Sequence, residues 1–272
     1  MAIIQANFYS ALLKRTVRFN AFMPVDNAPT PDMPFKTLYL LHGYTRSAMR
    51  WFENYAIGGI AEQNGLAVIM PDGDNHFYVD DEQRGDLYGE FIGRELVEFT
   101  RQAFPLSQKR EDTIIGGFSM GGYGALRNGL KYNGTFGHII AISPAASTQK
   151  LTDSTDEPDF IGATRGFYES VFGDLSNVAE RDVDIFWLTE QMAKKNAVFP
   201  DIYFACGYND TLVNDSRMFD KHLTALSVPH VYEENEGTHD NQFFTPHFIK
   251  GLSRIPLNRQ PITKHSFFIE TP

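Results

Sequence analysis

Short, continuous apolar runs recur along the chain and are separated by longer stretches with helical spacing. A continuous apolar run is typical of a strand buried on both faces of a parallel sheet, because both rows of its side chains then face helices. Six such strands are predicted, at residues 37–42, 66–70, 112–117, 137–142, 201–206 and 228–233. The N-terminal region looks extended, and within it residues 16–23 alternate as an early strand does.

Between these runs, apolar side chains recur three and four residues apart, as on one face of a helix. Residues 88–104 carry such a stripe through Phe91, Ile92, Leu96 and Phe99. Further helices are predicted at residues 120–131, 185–197, 215–226 and 242–252. Strand alternating with helix predicts an α/β fold with a mostly parallel central sheet and helices on both faces. Ligands of such sheets bind beyond the carboxyl ends of the strands, so a site is expected in the loops that follow them.

The chain shows no internal repeat or linker, and its length suits one α/β domain over residues 1–272. A proline-rich loop is predicted at residues 24–34. The segment 147–184 departs from the alternation, since it holds no clear core strand and is unusually long. Its aromatic residues include Phe160, Phe167, Tyr168 and Phe172. We predict a small cap insertion beside the functional site; a surface excursion with one or two short helices is the alternative.

The pattern G-x-S-x-G occurs at residues 117–121, where the chain reads Gly-Phe-Ser-Met-Gly. In this pattern the serine occupies a strained turn between a strand and a helix, and the glycines let neighbouring backbone pass without a Cβ clash. The context fits, because a predicted strand precedes Ser119 and a predicted helix begins at Met120. Ser119 is therefore the candidate nucleophile, and the Met120 N–H is a candidate oxyanion donor. A structural glycine-rich turn is the alternative.

A second candidate donor lies in the loop after the first central strand, where the chain reads Leu-Leu-His-Gly-Tyr up to Tyr44. In folds with a G-x-S-x-G turn this loop supplies a backbone N–H to the oxyanion hole. We assign that donor to Tyr44, with Gly43 as the near alternative, and expect His42 to position the loop. Substrate contacts are predicted for His42, Tyr78 and Phe118.

The acid and base of a triad are expected downstream of the serine, in the order Ser, then Asp or Glu, then His. Asp210 directly follows the fifth predicted strand and is the preferred acid. Asp215 is the competitor, but it resembles a helix N-cap. Among the histidines after Ser119, His239 occupies the loop between the last strand and the last helix. Ser119, Asp210 and His239 are therefore the predicted catalytic residues, with the carboxylate fixing the tautomer of the imidazole base.

Charge and cysteine usage argue against several classes of function. The net charge of −10 disfavours nucleic acid and anionic membranes as partners, and no apolar stretch is long enough to span a bilayer. The single cysteine, Cys206, forms no internal disulfide or cysteine metal cage, and we expect it to be a small buried hydrophobe. The first residues lack the basic start and apolar run of a signal peptide, so a cytoplasmic protein is predicted.

The loop at residues 72–82 is rich in acids. They are Asp72, Asp74, Asp80, Asp81 and Glu82. Carboxylates are ligands that Ca²⁺ prefers, so a calcium site is one interpretation. The spacing does not match an EF-hand loop, and a solvated acidic loop flanking the site is favoured, so no metal is predicted.

Several of these motifs together resemble the esterase D family. The segments concerned are Tyr-Leu-Leu-His-Gly at 39–43, Pro71-Asp72, Gly-Phe-Ser-Met-Gly-Gly-Tyr-Gly-Ala-Leu at 117–126, Cys206-Gly with Asp210, and Gly-Thr-His at 237–239. The similarity runs from about Leu38 to Leu252, and Ser-Met-Gly-Gly-x-Gly-Ala is its most specific part. The family includes tributyrin esterases, S-formylglutathione hydrolases, and feruloyl and acetylxylan esterases, with mycolyltransferases as distant relatives.

The resemblance implies an α/β-hydrolase fold and hydrolysis of small-molecule short-chain acyl esters without a cofactor, acetylated or feruloylated carbohydrates among them. It also implies a homo-oligomer, because similar esterases are often dimers or tetramers. The formylglutathione hydrolases carry a cysteine in the loop after the first central strand, where this chain reads Tyr44-Thr-Arg. Thioester hydrolysis or acyl transfer is therefore the second hypothesis. A non-catalytic binding protein is the third, disfavoured because Ser119, Asp210 and His239 are all present.

Overall fold

The computed structural model describes residues 1–25, 34–54, 57–159 and 161–257, and over these residues one eight-stranded sheet forms the centre of the molecule. The strands of the protein are β1 (Ala2–Ser10), β2 (Arg15–Met23), β3 (Lys36–Leu41), β4 (Leu66–Pro71), β5 (Asp80–Asp81), β6 (Asp86–Leu87), β7 (Thr113–Phe118), β8 (His138–Ile142), β9 (Asp201–Gly207) and β10 (His230–Asn235). The sheet has the order β1-β2-β4-β3-β7-β8-β9-β10. Strand β2 runs antiparallel to both neighbours, the other pairs are parallel, and β5 and β6 form a separate hairpin.

Helices pack on both faces of this sheet. They are α1 (Arg50–Asn54), α2 (Ile57–Asn64), α3 (Tyr88–Glu90), α4 (Leu96–Ala103), α5 (Met120–Lys131), α6 (Gln149–Thr152), α7 (Arg165–Phe172), α8 (Ile185–Lys194), α9 (Val213–Ala225) and α10 (Asn241–Ser253). Apolar residues of α4, α5, α8 and α9 share one core with the sheet, and those of α1, α2 and α10 share the other.

Successive residues of β3 enter opposite cores. Tyr39 and Leu41 pack in the core that contains α5, whereas Leu38 and Leu40 pack in the core that contains α10. Both rows of side chains are therefore buried, which is why this strand is a continuous apolar run rather than an alternating one. The prediction of a mostly parallel sheet covered on both faces is confirmed.

The bounds of some elements differ from the prediction. A π-helical turn at Phe91–Glu95 joins α3 to α4 within the helix predicted at 88–104. Helix α9 begins at Val213 with Leu212 as its N-cap, so the interpretation of Asp215 as an N-cap is wrong: it lies in the first turn. Strand β10 begins after Pro229, because proline has no N–H to donate to the sheet.

Sequence patterning predicts only an extended N-terminal region, whereas the structure has the edge strand β1 there. Its residues alternate between half-buried and exposed, so the apolar signal is weak. The short helices α1 and α2 were not predicted either. Most of the loop predicted at 24–34 lies outside the described residues.

The segment 147–184 carries α6, α7 and a 3-10 helix at Leu175–Glu180. Phe160, one of the aromatic residues noted there, lies outside the described residues. The far end of the segment is held by Asp182, whose carboxylate lies 2.7 Å from the guanidinium of the fully buried Arg127 on α5. This ion pair fixes the segment to the helix that follows Ser119.

Candidate active site

Ser119 occupies a strained turn between β7 and α5. Its backbone has φ +57° and ψ −118°, a conformation that residues with a side chain rarely adopt. A Cβ at Gly117 would lie 2.4 Å from the Gly121 oxygen, and one at Gly121 would lie 2.3 Å from the Leu41 oxygen. Both flanking positions therefore require glycine, as the G-x-S-x-G pattern predicts. Strained backbone of this kind clusters at functional sites, so the geometry is consistent with the prediction of Ser119 as nucleophile.

His239 and Asp210 are in direct contact. The distance between His239 Nδ1 and Asp210 Oδ2 is 2.8 Å, and the second carboxylate oxygen accepts the Leu212 N–H at 2.9 Å. Because a carboxylate only accepts hydrogen bonds, Nδ1 carries the hydrogen that points to Asp210, and the lone pair of the neutral ring is at Nε2. The Asp210 side chain is fully buried, while 32% of the His239 side chain is exposed. The buried carboxylate therefore orients the imidazole through Nδ1, while part of the ring remains accessible to solvent.

Two effects oppose each other at the Asp210 carboxyl. Burial raises its pKa, but the hydrogen bond from His239 and the charge of that ring lower it, and the net pKa lies below the ordinary value. The group is therefore ionised at neutral pH, as a partner for an imidazolium must be. The competing acid Asp215 pairs instead with Lys150 at 2.8 Å.

Two backbone segments lie beside Ser119, the start of α5 and the loop after β3. Met120 is the first residue of α5, where N–H groups have no acceptor within the helix. On the other side, a Cβ at Gly43 would lie 3.7 Å from Ser119 Cβ, so the loop after β3 passes close to the serine. In the same loop, Thr45 donates its N–H to Asn75 Oδ1 at 2.8 Å, and this bond holds the loop in place.

His42 holds the same loop from inside the protein. Its Nδ1 donates to the Gly43 oxygen at 2.9 Å, and its Nε2 accepts the Gly73 N–H at 2.9 Å. Burial lowers the pKa of the ring, which agrees with a neutral imidazole. His42 borders the larger cavity described below, but both ring nitrogens are occupied, so its role is to position the loop rather than to bond substrate.

The other two predicted substrate contacts, Tyr78 and Phe118, differ in their position relative to the cavities at Ser119. Tyr78 is fully buried, donates its hydroxyl to the His42 oxygen at 2.8 Å, and lines neither cavity at Ser119. It therefore supports the loop rather than touching substrate. Phe118 does line a cavity there, and its ring packs 5.0 Å from Trp51 and 5.1 Å from Phe244.

Two cavities meet at Ser119. The larger, of about 420 Å³, is also lined by His239. The smaller, of about 60 Å³, is mostly apolar. Its lining includes Tyr44, Phe77, Met120, Tyr123, Leu151, Ile161, Tyr168 and Phe172. Four of these belong to the segment 147–184, so that segment forms one wall of the site.

Sequence reasoning missed some of these lining residues. Ile161 in the small cavity and Arg46 and Arg50 in the large one were not singled out. For the arginines a signal was available, because they closely follow the turn at Gly43. For Ile161 no motif or periodicity marks the position.

Three acids of the loop at 72–82 form ion pairs with arginine or lysine: Asp72, Asp74 and Asp80. Asp72 lies 2.9 Å from Arg18, and Asp80 lies 3.0 Å from both Arg127 and Lys131. These ion pairs brace the loop against the sheet and α5. Cys206 is buried, and burial followed by the charge of Asp210 raises the pKa of its thiol to about 12. It is a protonated core residue rather than a second nucleophile.

Comparison with known proteins agrees with this geometry. The chain matches a family model described as "Putative esterase" over residues 10–255. An acetyl esterase of Caldicellulosiruptor saccharolyticus is 44% identical over 253 residues, which cover 90% of this chain and 94% of the relative. No helix in the described residues is long and apolar enough to cross a membrane.

Solved structures give the same result for the fold. FphF, a fluorophosphonate-binding serine hydrolase of Staphylococcus aureus, superposes with a TM-score of 0.82 at 28% identity, covering 93% of this chain and 98% of its own. An S-formylglutathione hydrolase of the same organism gives a TM-score of 0.80 at 28% identity, with the same coverage. The predicted α/β-hydrolase fold is therefore confirmed. The chain belongs to this esterase family, of the esterase D type, and is a carboxylic ester hydrolase.

Proposed function

We propose that the protein hydrolyses short-chain acyl esters, acetyl esters above all, with Ser119 as nucleophile, His239 as base and Asp210 as the group that orients the base. The observation that carries the proposal is the 2.8 Å contact between His239 and a buried Asp210, beside a cavity that Ser119 shares. The strained backbone of Ser119 supports its role.

The reaction follows from the roles of these groups. His239 Nε2 takes the Ser119 proton as Oγ attacks the ester carbonyl, and the N–H groups of Met120 and Tyr44 bind the oxyanion. The imidazolium, stabilised by Asp210, then protonates the leaving alcohol and an acyl-enzyme remains. His239 next takes a proton from water, which attacks the acyl-enzyme and releases the acid.

The order of these reaction steps indicates which part of the ester occupies each cavity. The leaving oxygen receives its proton from His239, so the alcohol portion occupies the larger cavity, which His239 lines. The acyl group then points into the smaller cavity on the other side of Ser119. The Tyr168 and Phe172 rings of the segment 147–184 lie on the acyl side.

The size of the smaller cavity limits the acyl chain. Its volume of about 60 Å³ is less than half of the roughly 150 Å³ that holds a benzene molecule in another protein. This volume supports an acetyl or propionyl group as the acyl portion and argues against an aromatic acyl group. We therefore propose acetyl rather than feruloyl esters. The 44% identity to an acetyl esterase supports this choice.

The test is hydrolysis of p-nitrophenyl esters from acetate to octanoate by the wild type and by Ser119→Ala. We expect kcat/KM to be highest for acetate, to fall steeply beyond butyrate, and to be lost for every ester in Ser119→Ala. A wild type that favours octanoate would contradict the acyl assignment. A folded protein inactive on all esters would contradict the proposed function.

The second candidate is hydrolysis of a formyl thioester, or acyl transfer. It is favoured by the similarity to the S. aureus S-formylglutathione hydrolase, and a formyl group fits the small cavity. A kcat/KM for S-formylglutathione above that for p-nitrophenyl acetate would establish the thioesterase, and turnover raised by added alcohols would indicate transfer. A homo-oligomer and a cytoplasmic location stay predictions.

A further inference from the structure

The cavity assigned to the leaving alcohol has positive charge on its wall. Arg46 and Arg50 line it together with Ser119 and His239. Arg46 lies two residues after Tyr44, and its side chain is exposed to solvent. Two guanidinium groups therefore border the space beside the catalytic imidazole.

Arg46 lacks an anionic partner within the described residues, although the protein has a net charge of −10. Seven other arginines pair with Asp or Glu: Arg15, Arg18, Arg84, Arg94, Arg127, Arg165 and Arg217. Arg101, Arg110, Arg181 and Arg254 instead bond to protein oxygens or lie over a tyrosine ring. Among the residues that the structure describes, no carboxylate forms an ion pair with Arg46, and no side-chain hydrogen bond engages its guanidinium. Its five N–H donors are therefore available to a ligand in the cavity.

Within the part of the chain that the structure describes, the acids near the cavity form no ion pair with Arg46. Asp240 is a lining residue, but its carboxylate accepts the Thr238 hydroxyl at 2.5 Å and the N–H groups of Gln242 and Phe243 at 2.8 and 3.2 Å. Asp240 therefore caps α10, and its oxygens are engaged by these three donors rather than by Arg46. Asp210 lies behind His239, fully buried.

The backbone that carries the two arginines is fixed in place. Thr45 donates its N–H to Asn75 Oδ1 at 2.8 Å, and Ala48 donates its N–H to Asp72 Oδ1 at 2.6 Å. The Arg50 N–H bonds to the Ser47 oxygen at 3.0 Å. Binding of a ligand to Arg46 therefore orders its side chain but not its backbone, so the entropic cost is limited to the side chain.

We infer that this cavity selects esters whose alcohol portion bears an anionic oxygen group, either a carboxylate or a phosphate. A guanidinium binds both groups through two parallel N–H···O bonds, which favours them over a neutral alcohol of the same shape. The inference rests on the proposed esterase function and adds the class of alcohol to it. Because the small acyl cavity has little room for varied acyl groups, selection between substrates depends on the alcohol portion of the ester.

The test compares acetyl esters of related phenols: 4-acetoxybenzoate, 4-acetoxyphenyl phosphate and the neutral 4-acetoxybenzamide. The kcat/KM of each anionic ester is divided by that of the neutral ester, for the wild type, Arg46→Gln, Arg46→Lys and Arg94→Gln. Comparing these ratios between variants cancels the intrinsic reactivity of each ester. Arg94 is the matched control, since it is an exposed arginine paired with Glu90.

We expect the ratio for at least one anionic ester to fall about five-fold in Arg46→Gln, the range of an exposed ion pair. Arg46→Lys retains part of the preference because it keeps the charge, and Arg94→Gln retains all of it. The ester whose ratio falls more identifies the carboxylate or the phosphate as the preferred group. Ratios equal in wild type and Arg46→Gln, with all three esters hydrolysed, would overturn the inference alone. A wild type that hydrolyses none of them would overturn the proposed function on which it rests.

Discussion

At the scale of single residues, the contact between Asp210 and His239 combines two requirements. A buried carboxylate is costly unless it is paired and hydrogen-bonded, and Asp210 meets this with the His239 ring and the Leu212 N–H. The same bonds place a hydrogen on Nδ1, which leaves Nε2 for the role of base that we propose. One buried side chain therefore stabilises the loop and sets the chemistry.

Asp210→Asn tests this role directly. An asparagine of the same shape can donate its amide N–H to Nδ1, which places the hydrogen on Nε2 and removes the base. We expect kcat for p-nitrophenyl acetate to fall by about 10³- to 10⁴-fold with little change in KM. The matched control is Asp215→Asn, which replaces the neighbouring buried acid that pairs with Lys150. A larger loss in Asp215→Asn than in Asp210→Asn would reverse the assignment of the acid.

Sequence motifs locate the residues of the candidate triad but not the side chains around them. Ser119 follows from its five-residue pattern, and Asp210 and His239 follow from their positions after strands. Tyr78 cannot be placed in this way, because its backbone has φ +58° and turns the ring inward to the His42 oxygen. The direction of a loop side chain depends on contacts distant in sequence, which no local pattern records.

At the scale of elements, α5 is tied to the segment 147–184 by a buried ionic cluster. The fully buried Arg127 guanidinium lies 3.0 Å from Asp80 and 2.7 Å from Asp182, and Lys131 contacts the same two carboxylates. The cluster therefore connects the helix after Ser119, the β5–β6 hairpin and the end of the wall segment.

We predict that Arg127→Met lowers the free energy of unfolding by about 2 kcal/mol, because it leaves the partly buried Asp80 and Asp182 carboxylates without their main partner, at a cost reduced by solvent screening. Lys131 stays within reach and limits the loss. The comparison variant is Arg94→Met, which removes an exposed i,i+4 pair with Glu90 and should cost less than about 0.5 kcal/mol. Both values come from urea unfolding followed by circular dichroism. Equal losses of unfolding free energy in the two variants would show that the Arg127 cluster stabilises the fold no more than an exposed ion pair does.

Elements with a long, regular pattern are the predictable ones. The buried strands and helix α5 follow from continuous apolar runs and helical spacing. Strand β1 does not, because an edge strand with one half-buried face carries little apolar contrast. Helix α6 spans only Gln149–Thr152, too short for a periodicity to emerge. The wall of the site therefore belongs to the part of the fold that sequence patterns describe least well.

At the scale of the whole molecule, ion pairs on several elements hold carboxyl groups in their charged form. For Asp80 and Asp182, burial alone would raise the pKa. The charges of Arg127 and Lys131 have the opposite effect and outweigh it, so the net pKa lies below the ordinary value. Asp112 shows the same net lowering beside Lys36. A group with a lowered pKa in the folded state contributes stability above its unfolded pKa.

The protein should therefore lose stability in acid. The contribution of these carboxylates is fully present above their unfolded pKa of about 4 and is lost as the pH falls through their lower folded values, because the unfolded chain then binds more protons. Urea unfolding at pH 7, 5 and 3 measures the effect, and we expect most of the loss between pH 5 and 3. A free energy of unfolding that stays constant or rises over that interval would contradict the prediction.

The tight contacts at Gly117 and Gly121 have a consequence for how this fold diversifies. A side chain at either position would overlap backbone atoms of the turn or of β3, so the nucleophile turn has no freedom to change. The acyl wall, by contrast, comes largely from a segment outside the sheet that is anchored through Asp182. New acyl preferences can therefore evolve by exchanging residues 147–184, provided that an acid facing Arg127 is retained, while the catalytic turn is inherited unaltered.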